Sequence, residues 1–159
     1  MINKSKNIAV ILISLVTLIN SQVLKAELTI EITEGIQSAY KIAVVPFATP
    51  PGEILATDVA GIIAQDLAGS GYFKVWPGNQ MLTRPTQPAQ VKFRNWAAIG
   101  QDYLVIGFIT KDNNLYHIQM SLFDVYKKEQ LKGLRITVEA DALNMAAHHL
   151  SDAVYQKIT

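Results

Sequence analysis

The sequence has no cysteine, which excludes disulfides, cysteine-ligated zinc, thiolate catalysis and a lipidated N-terminal cysteine. An excess of either charge is also missing. Fourteen Lys and Arg against 13 Asp and Glu leave +1, so no phosphate-neutralising patch is expected and nucleic acid is not an expected partner. No glycine-rich phosphate loop occurs either, since Gly69-Ser70-Gly71 falls where a helix ends and not where one begins. The longest apolar stretch, Ile8 to Ile19, falls short of the ~20 residues that a membrane span requires. A length of 159 residues allows one domain with an adequate core, not two.

What is present begins with an export signal. Lys4 and Lys6 precede the apolar stretch, and Asn20, Ser21 and Gln22 lead to Ala26, the three-part pattern of a cleavable secretory signal peptide over residues 1–26. Its removal takes Lys4, Lys6 and Lys25 and no acid, leaving 11 basic and 13 acidic residues, a formal charge of −2. An exported chain without cysteine is held by packing alone, and in a Gram-negative cell its compartment is the periplasm, with no stable membrane span after cleavage.

Residues 27–159 read as one α/β domain. Leu28, Ile30 and Ile32 alternate with Glu27, Thr29, Glu31 and Thr33, a strand with one wet face whose terminal position favours a sheet edge. Ile42 to Phe47 is apolar on both faces, a central strand ending near Pro46. Val59, Ile62, Ile63 and Leu67 recur at helical spacing, with Thr57 or Asp58 as cap and Gly69-Ser70-Gly71 as stop. Phe73 to Trp76 follows as a strand, which makes a βαβ unit with parallel strands. Pro77 to Gln90 reads as a surface loop, and Phe93 to Ile99 as two helical turns closed by Gly100. Tyr103–Thr110, Leu115–Asp124 and the run containing Leu134, Ile136 and Val138 form an antiparallel meander. A helix from about Asp141 to Ile158 closes the chain. The expected fold is α/β, a mixed sheet of about five to six strands with two main helices packed on one face.

Chemistry-bearing patterns are sparse. His148 and His149 lie ~100° apart on a helix and cannot easily share an ion. His148 and Asp152 share a face at i and i+4, which suits a hydrogen-bonded pair better than a metal centre wanting three protein ligands. Asp102 and Asp124 flank the central hairpin, where Asp caps strand ends and starts turns. No Ser stands in a recognisable triad motif. The expectation is no enzyme, no cofactor and no metal. Trp76, Trp96, Tyr72 and Phe73 read either as core and rim packing or as the wall of a ligand cleft. The latter is the alternative function, a self-contained periplasmic ligand-binding domain with its cleft near Trp76 and Trp96. The terminal strand offers a further site, because an alternating strand tethered by Glu34, Gly35 and Ile36 can add to the edge of another protein's sheet.

Several blocks in order carry a resemblance to a family. They are Glu-Ile-Thr-Glu-Gly at 31–35, Val-Val-Pro-Phe at 44–47, Asp-Leu-Ala-Gly-Ser-Gly-Tyr-Phe at 66–73, Arg-Pro-Thr at 84–86 and Trp-Ala-Ala-Ile-Gly-Gln-Asp-Tyr-Leu-Val-Ile-Gly at 96–107. With Glu-Ile at 53–54 and the closing stretch from His148 to Thr159, they make residues 27–159 resemble the N-terminal domain of TolB, the periplasmic component of the Tol-Pal system. The resemblance implies a non-catalytic adaptor in outer-membrane integrity and cell division, with a mixed sheet and two helices followed by a six-bladed β-propeller that binds the lipoprotein Pal. It also implies that the mature N-terminal strand binds the inner-membrane protein TolA. Carried to this sequence, those residues are Glu27, Leu28, Thr29, Ile30, Glu31, Ile32 and Thr33. The Pro50-Pro51-Gly52 loop departs from the family pattern. The sequence stops at Thr159, before a propeller, so Pal is a partner only if one follows.

Overall fold

A computed structural model describes residues 39–159. The expected signal peptide and the expected strand Glu27–Thr33 lie outside the described residues. Among the described residues five strands form one sheet in the order β2-β1-β3-β4-β5. They are β1 Tyr40–Val44, β2 Phe73–Trp76, β3 Tyr103–Asp112, β4 Leu115–Asp124 and β5 Glu129–Glu139. β2 and β3 flank β1 in parallel, and β3, β4 and β5 form the antiparallel meander, so the sheet is mixed as the apolar runs and turn residues require.

Three α-helices accompany it among the described residues: α1 Val59–Gly69, α2 Phe93–Ala98 and α3 Leu143–Ile158. Asp58 caps α1, its carboxylate accepting the Gly61 N–H at 3.0 Å, and Gly71 leaves the helix at φ 77°. The end of α2 is a paired motif in which Gly100 N–H donates to Ala97 O and Gln101 N–H to Trp96 O, with Gly100 at φ 73°, a backbone that glycine adopts without cost.

Both long helices cover one face of the sheet. There Ile42, Val44, Val105, Ile118, Met120 and Leu122 meet Ile63 and Leu67 of α1 and Ala147, Leu150 and Val154 of α3. The opposite face carries a smaller core in which Ala43, Val45, Leu104, Ile106 and Phe123 meet Trp96 of α2 and Met81.

Four boundaries differ from expectation, each for a physical reason. β1 starts at Tyr40 and stops at Val44, because Pro46 has no N–H to continue the ladder. One last bond, Val45 N–H to Val105 O, and a lone bridge from Ala48 to Phe108 carry the chain past it. The segment 77–90 is not a plain surface loop: it forms 3₁₀ turns at Gly78–Gln80 and Pro88–Gln90 and buries Met81 and Pro85. β3 runs on to Asp112, so that Asn113, at φ 55°, and Asn114 alone make the turn. α3 begins at Leu143 after a 3₁₀ turn, Ala140–Ala142.

Candidate functional site

Where the terminal segment joins the domain, the sheet end is held by aromatic rings and a carboxylate. Tyr40 opens β1 with its ring 5.9 Å from Phe73 and 5.8 Å from Tyr103, and Tyr155 of α3 continues the row to Phe73 and Tyr72. Lys41 and Asp102 clamp each other: the Lys41 N–H donates to Asp102 Oδ2 at 2.9 Å, and the Asp102 N–H donates to Lys41 O at 2.8 Å. A charge-assisted bond of this kind is stronger than a neutral one. Burial pushes the Tyr103 phenol above its usual value, and the negative field of Asp124, the Tyr40 phenol and Asp102 adds in the same direction. The first residues of β1 are therefore fixed from three sides. Tyr40 and Tyr103 were not singled out in the sequence; their position at the start of two neighbouring strands is the signal that marks them.

Trp76 and Trp96 come together as their sequence positions suggested. With Gln80, Met81, Leu82, Thr83, Asn95 and Ile99 they line a cleft of about 310 Å³. Trp96 is 3% exposed, whereas Leu82 at its rim is 98% exposed. Among the described residues neither indole N–H has a hydrogen-bond partner, which is costly for a buried donor. Tyr72 and Phe73, grouped with the tryptophans in the sequence, instead belong to the aromatic row at the sheet end and line no part of this cleft.

The near-neutral total charge concealed a local imbalance. Between Asp66 and Asp102 the sequence has no acid but carries Lys74, Arg84, Lys92 and Arg94, all exposed. Lys41 pairs with Lys74 in register, and among the described residues none of the five joins an ion pair. A total charge near zero thus coexists with a local excess of cations along the sequence between Asp66 and Asp102.

The remaining candidates are structural. His148 Nδ1 meets Asp66 Oδ2 at 2.7 Å, tying α3 to α1, so its partner is a residue of the other helix and not Asp152. Asp124 accepts the Lys127 N–H at 2.8 Å and sets the β4–β5 turn. Glu53 holds Lys111, whose ammonium also lies 5.1 Å from the Tyr116 ring centre. Hydrogen bonds to Glu53 and Tyr116 hold the Lys111 ammonium above the usual lysine range. Among the described residues no three His, Asp or Glu gather as metal ligands, and no helix is long and apolar enough to cross a membrane.

Comparison with known proteins places this arrangement. Residues 28–131 match the TolB amino-terminal domain family. The Tol-Pal system protein TolB of Nitrosococcus oceani is 41% identical over 150 residues, covering 91% of this chain and 33% of that protein. The same protein of Pseudomonas fluorescens is 38% identical over 133 residues, 84% of this chain and 31% of its own length. The chain thus spans about a third of the length of the curated relatives it matches. Among solved structures, TolB from Acinetobacter baumannii superposes with a TM-score of 0.64 at 31% identity, over 76% of this chain and 28% of that one. The C-terminal domain of LpoB from Salmonella enterica, at 15% identity and a TM-score of 0.53 over 67% of this chain and 87% of that one, shares the fold alone.

Proposed function

The chain belongs to the TolB amino-terminal domain family, and from that premise we propose that it is an exported periplasmic adaptor of a Tol-Pal-like envelope system. In this reading residues Glu27, Leu28, Thr29, Ile30, Glu31, Ile32 and Thr33 form an extended strand that adds to the sheet of a TolA-like inner-membrane partner, in support of outer-membrane integrity and cell division. The observation that carries it is the family match itself, which runs from Leu28 to Leu131 and so takes in six of those seven residues together with most of the folded domain. The clamped start of β1 fits the same reading, because a strand offered to a partner works best from a fixed base. Main-chain bonds to the partner's edge supply affinity, and alternate side chains supply specificity.

Calorimetric titration of a TolA-like C-terminal domain into the chain, with and without residues 27–34, tests the proposal. Saturable binding that disappears on deletion is expected; equal affinity for both forms sinks it. Ile30→Asp with Ile32→Asp is expected to weaken binding about tenfold or more through the alternate side chains, while the melting temperature of the domain stays unchanged.

A further inference from the structure

The edge strand β2, the tryptophan cleft and the cations Lys41 and Lys74 lie together at a place that strand donation by residues 27–33 does not use. Among the described residues β2 is the outermost strand on its side. Tyr40 N–H donates to Tyr72 O, and the register sets Tyr40 beside Phe73 and Ile42 beside Val75. In a parallel ladder a residue bonds the neighbours of its partner. Tyr72, Lys74 and Trp76 therefore turn their main-chain groups toward β1, and Phe73 and Val75 turn theirs outward. Trp76 shares a face with its partner Ala43 of the smaller core, and Lys74, two residues before it, lies on the same face. Lys74 and its register partner Lys41 thus lie on the face of the cleft that Trp76 lines, and the cleft wall ends at Thr83, followed in sequence by the exposed Arg84.

We infer that this edge binds an extended acidic segment of a partner protein in the pattern acid-x-apolar-x-acid, which adds as a sixth strand beside β2. An added strand shows every second side chain to the cleft face. One large apolar residue enters between Trp76, Met81 and Leu82, and the flanking acids meet Lys74 and Lys41 on one side and Arg84 on the other. Only a polypeptide main chain supplies the alternating donors and acceptors that Phe73 and Val75 require. A phosphate-bearing surface would meet the cations but leave the cleft and the edge unfilled. The chain's own sequence at 27–33 does not fit this pattern, since no apolar residue stands two positions from an acid on either side.

A fluorescein-labelled peptide Ser-Glu-Thr-Leu-Thr-Glu-Ser, titrated with the full mature chain, tests the inference by anisotropy. Saturable binding that weakens with salt is expected. Replacing the peptide leucine by serine is expected to weaken it about tenfold, the loss of one buried apolar side chain. Lys74→Glu with Arg84→Glu is expected to weaken it by a similar factor of about ten. Val75→Pro removes an outward N–H while leaving the bonds to β1 in place, and binding is expected to fall below detection. N-methylation of alternate peptide amides is expected to abolish binding with no change in the protein, which guards against misfolding of the Val75 variant. The inference falls if anisotropy stays flat, if the serine or N-methylated peptide binds as well as the parent, or if a folded Val75→Pro chain retains full affinity. It falls also if phosphatidylglycerol vesicles capture the chain and the peptide does not, or if the peptide binds only after residues 27–34 are deleted, which would make the chain's own segment the occupant.

Discussion

The two faces of the sheet are covered by different means. On one, α1 and α3 lay continuous apolar stripes across the strands, and Ile63, Leu67, Leu150 and Val154 are each at most 1% exposed. On the other, a helix of six residues and a segment with two 3₁₀ turns rest on separate anchors, chiefly Trp96 and Met81. Among the described residues, the first arrangement leaves no buried donor unpaired in its helices; the second leaves two indole N–H groups without partners, an open cleft and five cations outside any ion pair. The helical face accounts for the standing of the fold. The patchwork face keeps surface, charge and unsatisfied donors available, and that is where the acidic segment is proposed to bind.

Truncation should separate the two faces most clearly. Leu150→Ala removes a fully buried side chain at the centre of the larger core, and urea unfolding is expected to show a loss of about 3 kcal/mol. Met81→Ala, 8% exposed at the margin of the smaller core, is expected to cost about 2 kcal/mol, the low end for such a change. Hydrogen exchange should speed up first in residues 77–92 for Met81→Ala and across the whole domain for Leu150→Ala. Equal and global effects of the two substitutions would break the distinction drawn between the faces.

The same division explains what the sequence made legible. Repeating apolar positions such as Val59, Ile63 and Leu67 announce a helix because each neighbour confirms the period, and Asp58 was recognisable as its cap. Met81 and Pro85 are single anchors in a segment with no period, so burial of that segment could not be read from spacing. His148 found its partner in Asp66, a residue distant in sequence that only the packing of α3 on α1 brings near. The acid-free run from Asp66 to Asp102 was written in the sequence, but a total charge near zero hid it. The tryptophans were legible as a pair near a cleft, whereas their unpaired N–H groups follow only from the packing around them. Residues 27–33 were read from alternation and resemblance, and the described residues begin beyond them.

Capping tests a smaller difference between the two long helices. Asp58 satisfies one free N–H of α1, whereas α3 begins after Ala142 with no side-chain cap. Asp58→Ala is expected to lower stability by about 1 kcal/mol, read as a shift in the urea midpoint with unchanged slope. A change in slope would mean that the substitution altered the compactness of the folded or unfolded state and not the cap alone.

The smallest effect concerns pH. Tyr103 lies on the helical side of the sheet, packed with Tyr40, and burial first, then Asp124, Tyr40 and Asp102, raise its pKa above 10.0. A phenol whose folded pKa is raised keeps its proton longer in the folded chain than in the unfolded one. Stability is therefore full below pH 10 and falls as pH rises above it, because the unfolded chain deprotonates first. Lys111, held protonated by Glu53 and Tyr116, acts in the same direction at slightly higher pH, so the raw slope belongs to both groups. The difference between wild type and Tyr103→Phe isolates the phenol. Melting temperatures measured from pH 8 to pH 11 are expected to fall less steeply for Tyr103→Phe above pH 10, and parallel curves would mean that the phenol ionises alike in both states.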